Sequence, residues 1–154
     1  MDKKKIFNPK IWLTLFAVAH TFAFALWALM AGFATDAEVV EWLIEDGLPT
    51  DEILIVHPFY VDEMRSAMFF LGVMAISIVP PFIATAFLLK GRPQAIMTLV
   101  CGGTMTMMWL LSIYGDVVVE GGGFSADYLL GAIFAGSILY SGYLHLEDEG
   151  HIAD

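Results

Sequence analysis

The chain has 154 residues, of which 58% are hydrophobic, 14% aromatic and 16% charged, with a formal net charge of −10 and a mean hydropathy of +0.74. Those proportions exclude an ordinary water-soluble domain, which holds roughly 45–50% apolar and about 25% charged residues. One cysteine and the lack of a polar low-complexity run also exclude a disulfide-stapled secreted module and a disordered tail, which leaves an integral membrane protein.

A hydrocarbon core of about 30 Å is crossed by about 20 apolar residues at 1.5 Å rise each. Four runs meet that length: 11–33, 66–89, 95–115 and 126–144, in which the one formally charged residue is Asp127 at an edge. They predict an all-α, antiparallel four-helix membrane bundle forming a single membrane domain over residues 1–154. The first run follows a basic leader and ends Gly32-Phe33-Ala34, which resembles a signal-peptidase site. Its apolar stretch exceeds the about 7–15 residues of a signal h-region, so it is expected to remain as a span.

Residues 34–65 form the long first loop. Thr35 and Glu38 stand in the S/T-x-x-E spacing of a capping box. Val39, Val40, Leu43 and Ile44 then share a face opposite Glu41 and Glu45, and Gly47 supplies a stop. The pattern predicts a short amphipathic helix at about 36–46 along the membrane surface, with Trp42 at headgroup level. Pro49-Thr50-Asp51 marks a turn, and 53–60 is an apolar patch interrupted by His57-Pro58, suited to packing on the spans or on a partner. The connection 90–94 fits only a tight hairpin, whereas Gly121-Gly122-Gly123 gives the third connection freedom.

An even number of spans places both termini on one side, and lysine and arginine select that side. Lys3, Lys4, Lys5, Lys10, Lys90 and Arg92 share it, so the termini are predicted to be cytoplasmic. Twelve of the seventeen acids fall on the opposite side, whose only base is Arg65. That acidic outer face would attract cations or a basic protein and repel nucleic acid.

Chemistry has few carriers. His20 lies mid-span, where an ionisable group is costly and needs a named partner. Its helical face holds Ala17 and Ala31 but also Phe24 and Trp27, so its neighbours leave its direction open. It suits either interhelical hydrogen bonding or a proton relay, ligand contact, or haem or metal ligand. No second histidine lies in a span to make a bis-histidine haem. Thr14, Tyr114 and Tyr140 are the polar residues that would complete an intrabundle pocket around it.

Met97, Cys101, Met105 and Met108 form a stripe of soft sulfur donors of the type that selects Cu(I). Methionine is also an ordinary filler of apolar contacts, and sulfurs more than one turn apart cannot all meet one ion. Pro80-Pro81 removes two amides from the second span and predicts a kink. Broken helices of that kind line transporter sites, but no intramembrane acid–base pair accompanies this one. Gly131, Ala135 and Gly142 form a small-residue helix-packing face in the fourth span.

No motif implies a cofactor, and hydrolase elbows, phosphate loops and zinc spacings are absent from the sequence. The sequence therefore leads first to a non-catalytic accessory or structural subunit, with the lipid bilayer and other membrane subunits or copies of itself as partners. A small membrane enzyme or transporter with a pocket at His20 is the alternative.

Overall fold

The computed structural model describes residues 3–45, 60–119, 121–123 and 125–148. The Gly47 stop, the turn at 49–51 and the patch up to residue 59 lie outside them. The described residues form α1 (Lys3–Ile6), α2 (Pro9–His20), a π-helical turn (Thr21–Ala25) and α3 (Leu26–Ala31), then α4 (Asp36–Glu45) and α5 (Tyr60–Leu88). α6 (Gly91–Ile113), a second π-helical turn (Tyr114–Val119) and α7 (Asp127–Leu144) follow. No strand occurs among the described residues.

Three helical runs are long and apolar enough to cross a membrane: Lys3–Ala31, Tyr60–Leu88 and Gly91–Val119, each of 29 residues. At 1.5 Å per residue each extends about 43 Å, beyond a hydrocarbon core of about 30 Å. They overrun the predicted spans because backbone hydrogen bonding continues past the edge of the apolar run. Lys3–Ile6, the turn from Tyr60 to Arg65 and the π turn at Tyr114–Val119 are all polar-containing extensions. The last helix is a shorter apolar one. α5 is continuous through Pro80 and Pro81.

The chain divides into two compact units, one of Met1–Ala17 with Pro80–Asp154 and one of Val18–Val79. In the first, α6 and α7 pack side by side in antiparallel fashion. A Cβ on Gly142 would lie 3.0 Å from the Ala95 carbonyl oxygen, and one on Gly102 would lie 2.9 Å from Leu139. Leu13, Phe82, Thr98, Ile138 and Ser141 are fully enclosed. Phe16 joins this core through Phe82, with ring centroids 4.8 Å apart, and through Phe134 at 5.9 Å. Gly91 has φ +58°, a backbone that favours glycine, where α5 gives way to α6. The amide of Gln94 donates to the Thr85 and Ala86 carbonyls at 3.1 and 3.0 Å, satisfying acceptors that the end of α5 leaves open.

Both ends of the described chain meet in this unit. Ser141 Oγ donates to the Phe7 carbonyl at 2.8 Å, and Lys4 Nζ donates to Asp148 at 2.5 Å. His145 Nδ1 lies 2.5 Å from the other oxygen of the same carboxylate. The Lys4 ammonium, and then His145, hold the Asp148 carboxyl below its usual range. A depressed folded-state value means that this contribution to stability is full above about pH 3.9, the ordinary aspartate value. It is lost as pH falls through the depressed one. Amide protection factors over residues 4–8, taken against the intrinsic rate at each pH, should therefore fall on acidification below that point, and Asp148→Asn should show the lowered protection already at neutral pH.

In the second unit the seam is built from small residues. Ala25 and Ala28 are fully buried, Ala31 and Ala75 nearly so, and Gly72 approaches the backbone of Leu29. Large apolar side chains lie outward instead: Phe22, Met30 and Phe33 are more than 70% exposed. Small residues inside and large apolar ones outside is the distribution expected where lipid, not water, is the solvent.

At α4 the Thr35 amide and hydroxyl both donate to Glu38 Oε2 at 2.7 Å, while the Glu38 amide donates to Thr35 Oγ1 at 3.4 Å. The reciprocal capping bonds are thus formed. The buried face of α4, Val39 and Leu43, packs with Ala34, Trp42, Tyr60, Val61 and Met64.

Candidate functional site

His20 ends α2 and opens the π-helical turn Thr21–Ala25, in which the Leu26 amide reaches back to the Thr21 carbonyl. A π turn holds an extra residue and rotates everything after it, and such turns recur at functional positions. After the turn Ala25, Ala28 and Ala31 are buried, whereas Phe24 and Trp27, the large members of the mixed face around His20, are exposed.

His20 Nε2 lies 3.1 Å from the Ala75 carbonyl oxygen of α5, and its ring stands 5.6 Å from that of Phe24. A carbonyl only accepts, so Nε2 carries the proton and donates it. The acceptor sits one residue before Ile76 and Ser77, the two carbonyls from which Pro80 and Pro81 withhold an amide. The imidazole therefore ties two helices at the edge of a weakened stretch of α5.

The other pocket candidates belong to the first unit. Tyr114 is 57% exposed and Tyr140 38% exposed. Tyr140 meets Phe7 edge-on at 4.8 Å, at the end of the unit where Ser141 reaches the Phe7 carbonyl. Tyr114 stands at the opposite end, where Tyr128 OH donates to Asp116 at 2.7 Å. In the antiparallel α6–α7 register the two tyrosines are about 20 Å apart along the helix axes. The structure does not bring them together.

Thr14 Oγ1 is buried and has no hydrogen-bond partner among the described residues. An unpaired buried hydroxyl costs about 1–3 kcal/mol. Thr14→Val, which keeps the shape and removes the hydroxyl, should therefore raise stability by about 1 kcal/mol in a denaturation series. A loss of stability instead would mean that the hydroxyl serves a bound group.

The sulfur stripe is divided by its surroundings. Cys101 and Met105 are buried, whereas Met97 and Met108 are exposed. The Cys101 thiol lies 3.8 Å from the Thr85 hydroxyl. Met97 and Met108 are about 16 Å apart along α6, so the stripe offers no four-sulfur site. Among the described residues no group of three or more His, Cys, Asp or Glu side chains is placed to hold a metal ion.

Gly131, Ala135 and Gly142 lie along α7 where it meets α6. A Cβ on Gly131 would come within 2.3 Å of Trp109 Cδ1, Ala135 is 4% exposed, and Gly142 faces Ala95 and Leu99. Gly136, one residue on, has open space beside it. Sequence reasoning passed over the Trp109 indole, which donates to the Tyr128 carbonyl at 2.8 Å. A lone tryptophan opposite a glycine 22 positions away carries no local signal.

Arg65 is a second organising residue. Its Nε donates to the Ala34 carbonyl and its Nη1 to Asp62, both at 2.9 Å, while Nη2 pairs with Asp36. It fastens the start of α5 to the segment that opens α4. Gly32, Phe33, Arg65, Ser66 and Phe69 line a hollow of about 330 Å³ there. With its guanidinium engaged by two carboxylates and a carbonyl, Arg65 offers little to an anion.

No protein-family profile, curated protein or solved structure matches the chain. Among the described residues the geometry defines a helical fold with membrane-length apolar helices, whose interior polar groups mostly meet main-chain acceptors.

Proposed function

We propose that the chain crosses the membrane four times and serves as a non-catalytic accessory or structural subunit of a larger membrane assembly. The observation that carries this reading is how the polar side chains inside the helices are used. His20 bonds the Ala75 carbonyl, Thr85 that of Pro81, Thr98 that of Gln94, Thr106 that of Gly102, and Trp109 that of Tyr128. Groups spent on tying or bracing helices do not converge on a substrate.

The fourth crossing is α7, whose 18 residues extend about 27 Å, close to the hydrocarbon thickness. The contact of Lys4 with Asp148 supports a common side for both termini. Lys10, over the Phe87 ring at 4.5 Å, extends the basic rim at the same end of the unit, so this is the end assigned to the cytoplasm. α4 then lies along the opposite surface, where the acidic loop would receive a cation or a basic protein.

Gentle extraction from the native membrane, followed by native mass spectrometry, tests the subunit reading. Stoichiometric co-purification with other membrane proteins is the expected result, and a homogeneous species containing this chain alone would refute it.

One observation favours the alternative of a small enzyme or transporter, namely the π turn beside His20. On that reading His20→Ala abolishes an activity or a bound-pigment absorbance while the protein stays folded. On the subunit reading His20→Ala costs only the interhelical bond, about 0.6 kcal/mol on average for such bonds in membranes.

A further inference from the structure

A groove of about 430 Å³ runs between the end of the first apolar helix and α4. Trp27, Met30 and Phe33 line it from one side and Glu38 and Trp42 from the other. Trp27 and Met30 lie three apart on one helix face, as Glu38 and Trp42 lie four apart on theirs, so both walls are continuous. The volume falls within the about 300–1,000 Å³ of small-molecule sites. We propose that this groove binds the quaternary-ammonium head of a cationic amphiphile, with Glu38 as counter-charge, Trp27, Phe33 and Trp42 as aromatic wall, and Met30 toward the tail.

Three features select that chemistry. Among the described residues that line the groove Glu38 is the only charged one, and it is an acid. The bonds from the Thr35 amide and hydroxyl both fall on Oε2 and hold the carboxyl below its usual range, so it stays ionised at neutral pH. Tryptophan is the strongest aromatic partner for a cation, and a quaternary ammonium, which has no N–H to satisfy, suits a wall that offers rings in place of acceptors. The acidic outer loop would raise the local concentration of such a cation and lower that of an anionic amphiphile. The inference uses residues of one unit and does not depend on the subunit reading.

The test is a titration of the full chain, in neutral maltoside micelles, with dodecyltrimethylammonium below its own micellar concentration. The indole N–H resonances of the four tryptophans report binding. Saturable shifts at Trp27 and Trp42, with Trp12 and Trp109 unmoved, are expected. Glu38→Gln keeps the cap, because glutamine also serves in a capping box, and should weaken the apparent affinity at least about threefold. Trp27→Leu should do the same.

Competition by dodecylphosphocholine would identify a choline lipid head as the source. Its failure to compete, beside saturable binding of the cation, would identify a free amphiphilic cation. Linear shifts that never saturate, or affinities unchanged in both variants, would overturn the proposal.

Discussion

Gly72→Ala should destabilise the protein by about 2 kcal/mol or more in reversible denaturation from mixed micelles. The added methyl would sit 2.5 Å from the Leu29 amide nitrogen and 2.8 Å from its Cα. Those are main-chain atoms within a helix, and they cannot swing aside as a side-chain tip can. The two helices must separate, and the seam of Ala25, Ala28 and Ala75 loses the close approach its small residues permit. Gly103→Ala is the control. Nothing lies within 4 Å of a Cβ there, so the gain in helix propensity, about 0.5–1 kcal/mol, should appear unopposed. Equal stability of the two variants would remove close packing as the role of Gly72.

Gly131→Ala should cost about 2–3 kcal/mol in the other unit by a different route. The methyl would lie 2.3 Å from Trp109 Cδ1 and 2.6 Å from its Nε1. The indole is held by its bond to the Tyr128 carbonyl, so moving it breaks that bond as well as the packing. Tryptophan emission should shift along with stability. Trp109→Phe should relieve much of the loss, and a double-mutant cycle should return a coupling of about 1 kcal/mol or more, as for residues in direct contact. Additive costs would mean that the two side chains do not share the contact described.

These two positions also mark how far the sequence could be read. Apolar runs located the long helices because a bilayer requires length and hydropathy, and both are local properties. The ends were not legible in that way. Lys3–Ile6 and the first turn of α5 are helical although polar, because hydrogen bonding within a helix does not stop where hydropathy does. The Thr35–Glu38 cap was legible from four residues because both bonds are made within that span. Gly72 and Trp109 were not, since each matters through a residue far along the chain. Neither π turn left a sequence pattern. Among the site residues, His20 could be singled out by its ionisable ring and its depth, but its acceptor proved to be a main-chain oxygen that any residue at position 75 would supply. Tyr114 and Tyr140 were chosen for polarity alone, and polarity does not say which way a side chain on a helix points.

The central claim, four crossings with the basic ends on one side, is tested most directly by thiol labelling in right-side-out membranes. Cys101, the only native cysteine, is replaced by serine, and single cysteines are introduced as Lys5→Cys, Lys90→Cys, Gly123→Cys and Glu147→Cys. Gly123 has open space around it, so the label should not disturb the fold. A membrane-impermeant maleimide should modify position 123 alone, and positions 5, 90 and 147 should react only after the membrane is opened. Labelling of positions 123 and 147 from the same side would contradict the account, because α7 would then lie on the membrane and not through it.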